Sequence, residues 1–285
     1  MNAQELYKKL DTDFEIENLK DDWDGIDLGN FIHPAFLEKW MGLVLDNSQE
    51  IEKVYTAVFP SDKIINEILD SGEKNVLLFT HHPMIWDANL IGSPFKNISQ
   101  ELLVKMKDRN ISLYNLHVPL DKNGEYSTTV SLARALDIMQ DEEFCEYFGV
   151  KCGVIGKTNF KTIDELARKV EKTVGHQIKI FNYGTSEIKN QKVSLVAGGG
   201  NDPETIKELV KLGINTYVTG VTKINESYAP SVEFHKVAKK NGINVIGATH
   251  YSTEKFACIA MVGYFEKLGL PTKFISDEPG LADLG

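Results

Sequence analysis

Four histidines and two carboxylates lie in three short segments whose residue types suit metal binding. The six residues are His81, His82, His117, Asp121, His250 and Glu254. Neutral imidazole and carboxylate are the usual nitrogen and oxygen ligands of zinc, iron and manganese. A carboxylate such as Asp121 or Glu254 can also bridge two cations about 3.5–4 Å apart, as in two-metal hydrolytic sites. These residue types therefore predict a centre for two divalent metal ions.

The first segment is the adjacent pair His81-His82, followed by Pro83. Adjacent side chains on an irregular turn point in different directions, so the two imidazoles could serve two ions. A proline restricts the residue before it to extended backbone conformations, which helps to fix the orientation of His82. The pair is therefore predicted to lie in a turn of defined geometry.

In the third segment, His250 and Glu254 are four residues apart. At the start of a helix this spacing places both side chains on one face. Thr253 is expected to cap that helix, which leaves Glu254 in its first turn.

Each of these patterns also has a plainer interpretation. An adjacent histidine pair is more often a pair of surface or hydrogen-bonded side chains than a metal site. A histidine and a glutamate four apart on a helix are weaker evidence still. Asp121 could simply cap a turn before Lys122-Asn123-Gly124. What favours the metal site is the position of the three segments relative to predicted strands.

Short apolar runs rich in Val, Ile, Leu and Tyr predict buried strands. They are Val76–Thr80, Ser112–Leu116, Val193–Ala197, Thr216–Thr219 and Val245–Ala248. The first, second and fifth of these runs lead directly into the three histidine segments. Ligands of open α/β sheets bind at the carboxyl ends of the strands. We therefore expect the imidazoles and carboxylates to converge on one crevice, if the strands are neighbours.

Segments with helical spacing alternate with the strands. The first lies between Ser61, as its N-cap, and Gly72, as its C-terminal stop. The others are Ser99–Asp108, Thr128–Leu136, Ile163–Val174, Pro203–Leu212, Pro230–Lys240 and Thr253–Leu268. This alternation predicts an α/β architecture of mixed sheets flanked by helices, with parallel strands joined by right-handed crossovers.

The length of 285 residues predicts one large domain or two medium ones, and we expect two lobes. The predicted first lobe, residues 1–140, carries the histidine pair and Asp121. The second segment, residues 141–285, carries a glycine-rich turn and the His250/Glu254 pair, and its last part is expected to pack back on the first lobe. The divide is placed near residues 141–161, which read as irregular.

The glycine-rich turn Gly198-Gly199-Gly200 follows a predicted strand, and Asp202 with Pro203 reads as the cap and first residue of a helix. Such a turn can hold an anion through its backbone N–H groups. It lacks the spacing of the dinucleotide fingerprint and of the phosphate loop. A tight strand-to-helix turn is an equally good interpretation, and we expect it to form a wall of the active cleft.

Composition limits the class of protein. A formal net charge of −10, without a dense basic cluster, argues against nucleic-acid binding. The three cysteines show no close pairing motif and suit a reducing compartment. The segment Met1–Asp13 resembles a charged amphipathic helix rather than a signal sequence, and no apolar run reaches the roughly 18 residues of a membrane span. We expect a soluble cytoplasmic protein.

Taken together, five blocks resemble the Nif-three-like family, whose members are also described as dinuclear-metal-centre hexameric proteins and as GTP-cyclohydrolase-type-two homologues. The blocks are LLFTHHPMIW (Leu77–Trp86), HVPLD (His117–Asp121), VAGGGND (Val196–Asp202), TYVTG (Thr216–Gly220) and THYSTE (Thr249–Glu254). Their order and placement are those of the family, and the similarity covers most of the chain.

The resemblance implies a two-lobed α/β fold, a metal cleft between the lobes and a ring-shaped homohexamer. It also implies the metal ligands His81, His82, Asp121, His250 and Glu254, with His117 as a neighbouring partner or general acid/base. This chain departs from the family at Val221, where an aspartate is usual, and at Val118-Pro119, where Thr-Asn is common.

Two metal ions would favour a metal-dependent hydrolase acting on a small molecule, with His117 moving a proton. A non-enzymatic metal-carrying or regulatory hexamer is the alternative, favoured if protein atoms fill every coordination position. A nucleotide-binding module built on the glycine turn is a third hypothesis.

Overall fold

Apolar runs of the sequence form the central strands of two mixed β-sheets in the computed structural model, which describes residues 1–90 and 93–285. Each sheet belongs to its own compact unit. The first unit comprises Met1–Leu120 and Cys258–Asp277, and the second comprises Asp121–Ala257 and Glu278–Gly285. The predicted α/β fold with mixed sheets flanked by helices is confirmed.

The first unit is built on a five-stranded sheet. Its strands are β1 (Gly42–Leu45), β2 (Lys53–Ala57), β3 (Val76–Thr80), β6 (Ile111–Asn115) and β13 (Thr272–Phe274), and a separate two-stranded ribbon is formed by β4 (Ile85–Trp86) and β5 (Phe95–Lys96). The order across the sheet is β1-β6-β3-β2-β13. Only β1 runs antiparallel to its neighbour among these five strands. The strands β3 and β6 are therefore parallel neighbours.

Helices cover both faces of this sheet. They are α1 (Ala3–Asp13), α2 (Phe36–Lys39), α3 (Asp62–Asp70) and α4 (Gln100–Asp108). On one face, apolar side chains of α3 and α4 such as Ile65 and Leu103 are buried against the strands. On the other face, the ring of Tyr7 in α1 stacks on that of Tyr114 in β6. Full burial of each large aliphatic side chain contributes roughly 1.5–3 kcal/mol.

The second unit contains a six-stranded sheet. Its strands are β7 (Met139–Tyr147), β8 (Val150–Lys157), β9 (Lys179–Phe181), β10 (Lys192–Val196), β11 (Thr216–Thr219) and β12 (Asn244–Gly247). They lie in the order β7-β8-β10-β11-β12-β9, in which β10, β11 and β12 are parallel and the other pairs are antiparallel.

The helices of the second unit are α6 (Thr128–Ala135), α7 (Ile163–Val174), α8 (Pro203–Lys211) and α9 (Ala229–Asn241). Leu166 of α7 packs in one core cluster with strand residues, and Ile206 of α8 and Phe234 of α9 pack in another. Two further helices, α5 (Val118–Asp121) and α10 (His250–Lys267), include residues of both units.

Most predicted helices start where the sequence places a cap. The side chains of Ser61, Ser99 and Ser127 each accept a hydrogen bond from the backbone of the first helical turn. Thr162 and Glu165 form a complete capping box at α7. Each such cap stabilises its helix by about 1 kcal/mol.

Residues 141–161 differ from the sequence interpretation, because most of them form the long hairpin of β7 and β8. In β7 only Phe144 is fully buried, and most of the strand is exposed at the edge of the sheet. Its acidic side chains and a register shift between Gln140 and Glu142 hide the alternation that identifies a strand.

Among residues 1–90 and 93–285, no helix has the length and apolar character needed to cross a membrane.

One buried histidine of the second unit has partners on both ring nitrogens. His235 in α9 donates from Nε2 to the carbonyl of Thr222, 2.9 Å away, and its Nδ1 accepts from the hydroxyl of Tyr183 at 3.0 Å. Burial lowers the pKa of His235 below its ordinary 6.5, and the hydrogen bond to Thr222 opposes that shift.

This lowered pKa predicts an acid-sensitive contribution to stability. Between about pH 6.5 and the lower native pKa, the unfolded chain binds the proton more readily than the native protein. The contribution is therefore complete above about pH 6.5 and is lost as the pH falls through that window. When the pH is lowered from 7.5 to 5.5, the free energy of unfolding measured in urea should fall less for His235→Gln than for the wild type. An equal loss in both proteins would contradict this assignment.

Candidate metal centre

The histidine segments of the first unit follow two neighbouring strands. Thr80 at the end of β3 pairs with Asn115 at the end of β6, and the two strands are parallel. The histidine pair follows Thr80, and His117 comes two residues after Asn115. Parallel neighbours end at the same edge of a sheet, so the topology alone places these imidazoles close together.

Backbone hydrogen bonds fix the turn that carries the pair. The N–H of His81 donates to Ala57 at 3.3 Å, and that of His82 donates to Val58 at 2.9 Å. The hydroxyl of Thr80 donates to the carbonyl of His82 at 2.6 Å, and the amide of Asn115 donates to the carbonyl of His81 at 3.1 Å. The turn is thereby tied to both neighbouring strands.

The three imidazoles of the first unit lie against one another. Their ring centroids are 4.4 Å apart for His81 and His82, 4.9 Å for His81 and His117, and 4.7 Å for His82 and His117. Each offers a nitrogen within 4.8 Å of the other two, and all three residues are buried. The ring of His82 also stacks on Phe59, with centroids 4.6 Å apart. This cluster has the donor chemistry to hold a metal ion.

Hydrogen bonds at Nδ1 set the tautomers of two of these rings. His81 Nδ1 lies 2.9 Å from the carbonyl oxygen of Leu116, and His117 Nδ1 lies 2.8 Å from Oδ2 of Asp21. Since a carbonyl or a carboxylate can only accept, each Nδ1 carries the proton and Nε2 is the basic nitrogen. Metal-binding histidines almost always donate their second nitrogen in this way.

Asp21 was not predicted to take part in the site. It is essentially buried, and its carboxylate also accepts from the indole N–H of Trp23 at 2.8 Å and the backbone of Asp22 at 2.8 Å. In the sequence it stands in Asp21-Asp22-Trp23-Asp24, which resembles an exposed acidic run. Trp23, two residues after Asp21, is the one signal in this segment that part of it is buried.

In the second unit, His250 and Glu254 lie on one face of the first turns of α10. His250 Nε2 is 3.1 Å from Glu254 Oε1, and both side chains are at most 5% exposed. The predicted i, i+4 placement is therefore observed. The predicted cap is wrong, because α10 begins at His250 and Thr253 lies inside it, donating its hydroxyl to Thr249.

A residue near the end of the chain caps this helix instead. The buried carboxylate of Asp283 accepts from the N–H of His250 at 2.8 Å. Its backbone carbonyl also accepts from the N–H groups of Thr222 and Lys223. A carboxylate at this position accepts a hydrogen bond from a backbone N–H that has no partner within the helix. Its negative charge also interacts favourably with the positive end of the helix dipole. Nothing in the local sequence around His250 indicates a cap that lies 33 residues away.

The glycine turn packs directly against this pair. Gly198 has φ +75°, and a Cβ placed on it would lie 2.1 Å from Oε1 of Glu254 and 3.2 Å from Nε2 of His250. Its N–H donates to the hydroxyl of Thr253 at 2.9 Å. This use of the N–H favours the tight-turn interpretation over the anion-binding one. The turn is needed because only a glycine leaves room for the Glu254 carboxylate.

Asp121 is the first residue of the second unit. It is largely buried, and its Oδ1 accepts from the hydroxyl of Thr128 at 3.2 Å, at the start of α6. That hydrogen bond orients the carboxylate. The structure thus places three predicted residues together in the first unit. In the second unit it places Asp121 beside the His250/Glu254 pair, with carboxylate oxygens of Asp121 and Glu254 within 4.8 Å of each other.

The donor chemistry fits metal ions. Buried imidazole and carboxylate groups with partners that fix their orientation are the usual surroundings of zinc, iron and manganese.

Comparison with known proteins assigns the chain to one family. The family described as Duf34/NIF3 (NGG1p interacting factor 3) matches residues 27–279. A protein of Pyrococcus horikoshii named GTP cyclohydrolase 1 type 2 homolog is 32% identical over 235 residues, which cover 81% of this chain and 87% of that protein. A protein of the same name from Archaeoglobus fulgidus is 28% identical and covers 96% and 98%.

Solved structures share the fold. The protein ybgI, described as being of unknown function, has a TM-score of 0.76 at 20% identity and covers 98% of this chain and all of its own. The protein TTHA1606 from Thermus thermophilus has a TM-score of 0.70 at 25% identity and covers 99% and 100%.

The contact between the glycine turn and α10 gives a testable expectation. Gly198→Ala would force a Cβ into the Glu254 carboxylate and an alanine into a left-handed conformation. We expect it to lower the free energy of unfolding by about 1–3 kcal/mol, measured by urea denaturation.

Gly199→Ala is the matched control, since a Cβ there meets nothing within 4 Å. It should change the free energy of unfolding by less than about 0.5 kcal/mol. If the two variants are equally stable, the close approach of Gly198 to the Glu254 carboxylate does not require a glycine at this position.

Proposed function

This chain belongs to the Duf34/NIF3 family, and we propose that it is a dinuclear metal protein that hydrolyses a small molecule. The proposed ligands are His81, His82, Asp121, His250 and Glu254. The observation that carries the proposal is that these donors are buried in fixed orientations. Burying polar groups is unfavourable unless a partner compensates for it, and bound metal ions would be such partners. We further propose that the two donor sets serve one centre.

Two bound ions would lower the pKa of a water molecule, so that it could attack an electrophilic carbon or phosphorus atom. His117 would either complete the imidazole donor set or move a proton at Nε2. The hydrogen bond at its Nδ1 supports both roles, since Asp21 holds the ring in place and leaves Nε2 as the basic nitrogen. Trp23 and Phe59, packed around these rings, would restrict access of water.

Metal content is the first test. We expect protein loaded with zinc, iron or manganese and then desalted to retain about two ions per chain, measured by plasma mass spectrometry. His250→Ala and Asp121→Ala should each retain fewer ions. His235→Ala is the matched control, because this histidine is buried but bonded to Tyr183 and Thr222, and its metal content should be unchanged. Wild-type protein that takes up none of the three metals would overturn the proposal.

Turnover is the second test. Metal-loaded protein should hydrolyse at least one compound in a panel of phosphoesters, cyclic amidines and peptides. GTP is included because the relatives carry the name GTP cyclohydrolase 1 type 2 homolog. Loss of turnover on removal of the metal, with recovery on its return, would support the reaction class.

A metal-carrying or regulatory protein is the second candidate function. The observation that favours it is the near-complete burial of His81 and His82, which have 0% and 1% exposure. A centre in which protein atoms fill every coordination position would store or sense metal rather than activate water. Two bound ions without turnover on any member of the panel would favour this candidate.

We also propose a cytoplasmic homohexamer. Family membership supports the assembly, and the three cysteines, all present as thiols, are compatible with a reducing compartment. Light scattering of the metal-loaded protein should give six times the chain mass, and a monomer at all concentrations would contradict it.

Asp21 provides a sharper test of the first-unit imidazoles. Asp21→Asn keeps the shape but removes the charge that orients and polarises His117. We expect zinc affinity to fall by about 10- to 100-fold, as is typical for loss of a partner that orients a metal-binding histidine. Competition with a chromophoric chelator measures the change.

Asp22→Asn is the control, because Asp22 is adjacent in sequence but exposed. It should bind zinc as the wild type does. If Asp21→Asn also binds as tightly as the wild type, His117 is not a metal ligand, and proton transfer remains its proposed role.

A further inference from the structure

Two cysteines face each other across the β7–β8 hairpin of the second unit. Phe144 pairs with Gly153 and Glu146 pairs with Lys151, so Cys145 and Cys152 lie across from each other between two paired positions. In a regular antiparallel pair, opposed Cα atoms lie about 4.5–5.5 Å apart, which is within the range that a disulfide spans. The hairpin therefore brings together two thiols that the sequence shows as unrelated.

The hydrogen bonds around the pair differ from those of an ordinary strand. The thiol of Cys152 donates to the carbonyl of Cys145 at 3.4 Å. The sulfur of Cys145 lies 3.4 Å from the hydroxyl of Thr205 in α8, and its N–H donates to the carboxylate of Glu208 instead of to the sheet. Cys145 has φ +56°, a left-handed conformation that costs a non-glycine residue about 1–3 kcal/mol. Glu208 of α8 thus holds the backbone N–H of Cys145, and Thr205 of α8 contacts its sulfur.

The two thiols have different surroundings. Cys145 is partly exposed, whereas Cys152 is buried in the core beside α8 and α9. Asn123 holds the strand on either side of Cys152, donating to the carbonyls of Lys151 and Gly153. A hydrogen bond from the Cys152 side chain lowers the pKa of Cys145, while the same bond and burial raise the pKa of Cys152.

We propose that Cys145 and Cys152 are a redox-active pair that closes to an intramolecular disulfide when a hydroperoxide is present. Cys145 is the attacking thiol and Cys152 is the resolving thiol. The assignment follows from accessibility, since the oxidant can reach Cys145 first, and from the opposed register, which brings the second sulfur alongside.

The chemistry balances with hydrogen peroxide as the oxidant. The Cys145 thiolate attacks one peroxide oxygen, the O–O bond breaks, and hydroxide leaves as a sulfenic acid forms. The Cys152 sulfur then attacks the Cys145 sulfur, the S–O bond breaks, and the hydroxyl leaves with the Cys152 proton as water. The hydroxide from the first step takes up the proton that Cys145 released. Two thiols are oxidised to one disulfide, and one peroxide is reduced to two waters.

Differential alkylation of the full-length protein tests the pair. Protein treated with one equivalent of hydrogen peroxide, in the presence of a chelator, should lose the mass of two hydrogens per chain. Only Cys258 should then be alkylated after unfolding, and a dithiol reductant should restore all three thiols. Cys258 is the internal control, because it is fully buried and its thiol donates to the carbonyl of Ala57. Peptide mapping should recover the linked segments of β7 and β8.

Two variants separate the roles. Cys152→Ser should stop at a sulfenic acid on Cys145, which a dimedone probe traps. Cys145→Ser should leave Cys152 reduced at the same peroxide concentration. If the probe labels Cys152 in Cys145→Ser as fast as it labels Cys145 in Cys152→Ser, the assignment of attacking and resolving thiols would be wrong.

Three thiols still alkylated after peroxide treatment would overturn the proposal, as would a disulfide between chains or a sulfinic acid at Cys145 without a linked peptide. If a serine variant does not fold, the mapping of the wild-type protein still decides. The chelator keeps the result independent of the metal centre, so failure here leaves the proposed hydrolase untouched.

Discussion

The rest of this structure depends on one constraint: polar side chains that are buried need hydrogen-bond partners. His81, His82, His250 and Glu254 are all at most 4% exposed, and such burial is unfavourable unless each group has an oriented partner. The strand ends supply part of the solution, because the backbone carbonyl of Leu116 fixes one imidazole ring. Side chains from distant segments supply further partners.

Those distant segments explain features of the fold that packing alone would not require. A buried aspartate near the N-terminus orients His117, and one near the C-terminus caps the helix that begins at His250. Gly198 leaves the space that the Glu254 carboxylate occupies. Each unit thus uses residues from both near and far in its sequence to hold its donors in place, and the proposed function depends on that preorganisation.

The sequence predicted the parts of this arrangement that arise from local patterns. The strand bounds at Val76–Thr80 and Thr216–Thr219 are confirmed, as is α7, because apolar runs and caps are local signals. Asp21 and Asp283 could not be found in this way, since each acts on a residue far away in the chain. The opposed cysteines were hidden for a related reason: the exposed acidic edge of β7 conceals the alternation from which a hairpin register could be inferred.

X-ray absorption at the metal edge of the zinc-loaded protein tests the central claim most directly. We expect scattering from imidazole rings in the ligand shell, together with a metal–metal distance of about 3.5–4 Å. Substitution of His82 by alanine should reduce the imidazole component. A spectrum with oxygen ligands alone and no metal–metal scattering would place the metal on surface carboxylates, and it would contradict a centre built from the buried histidines.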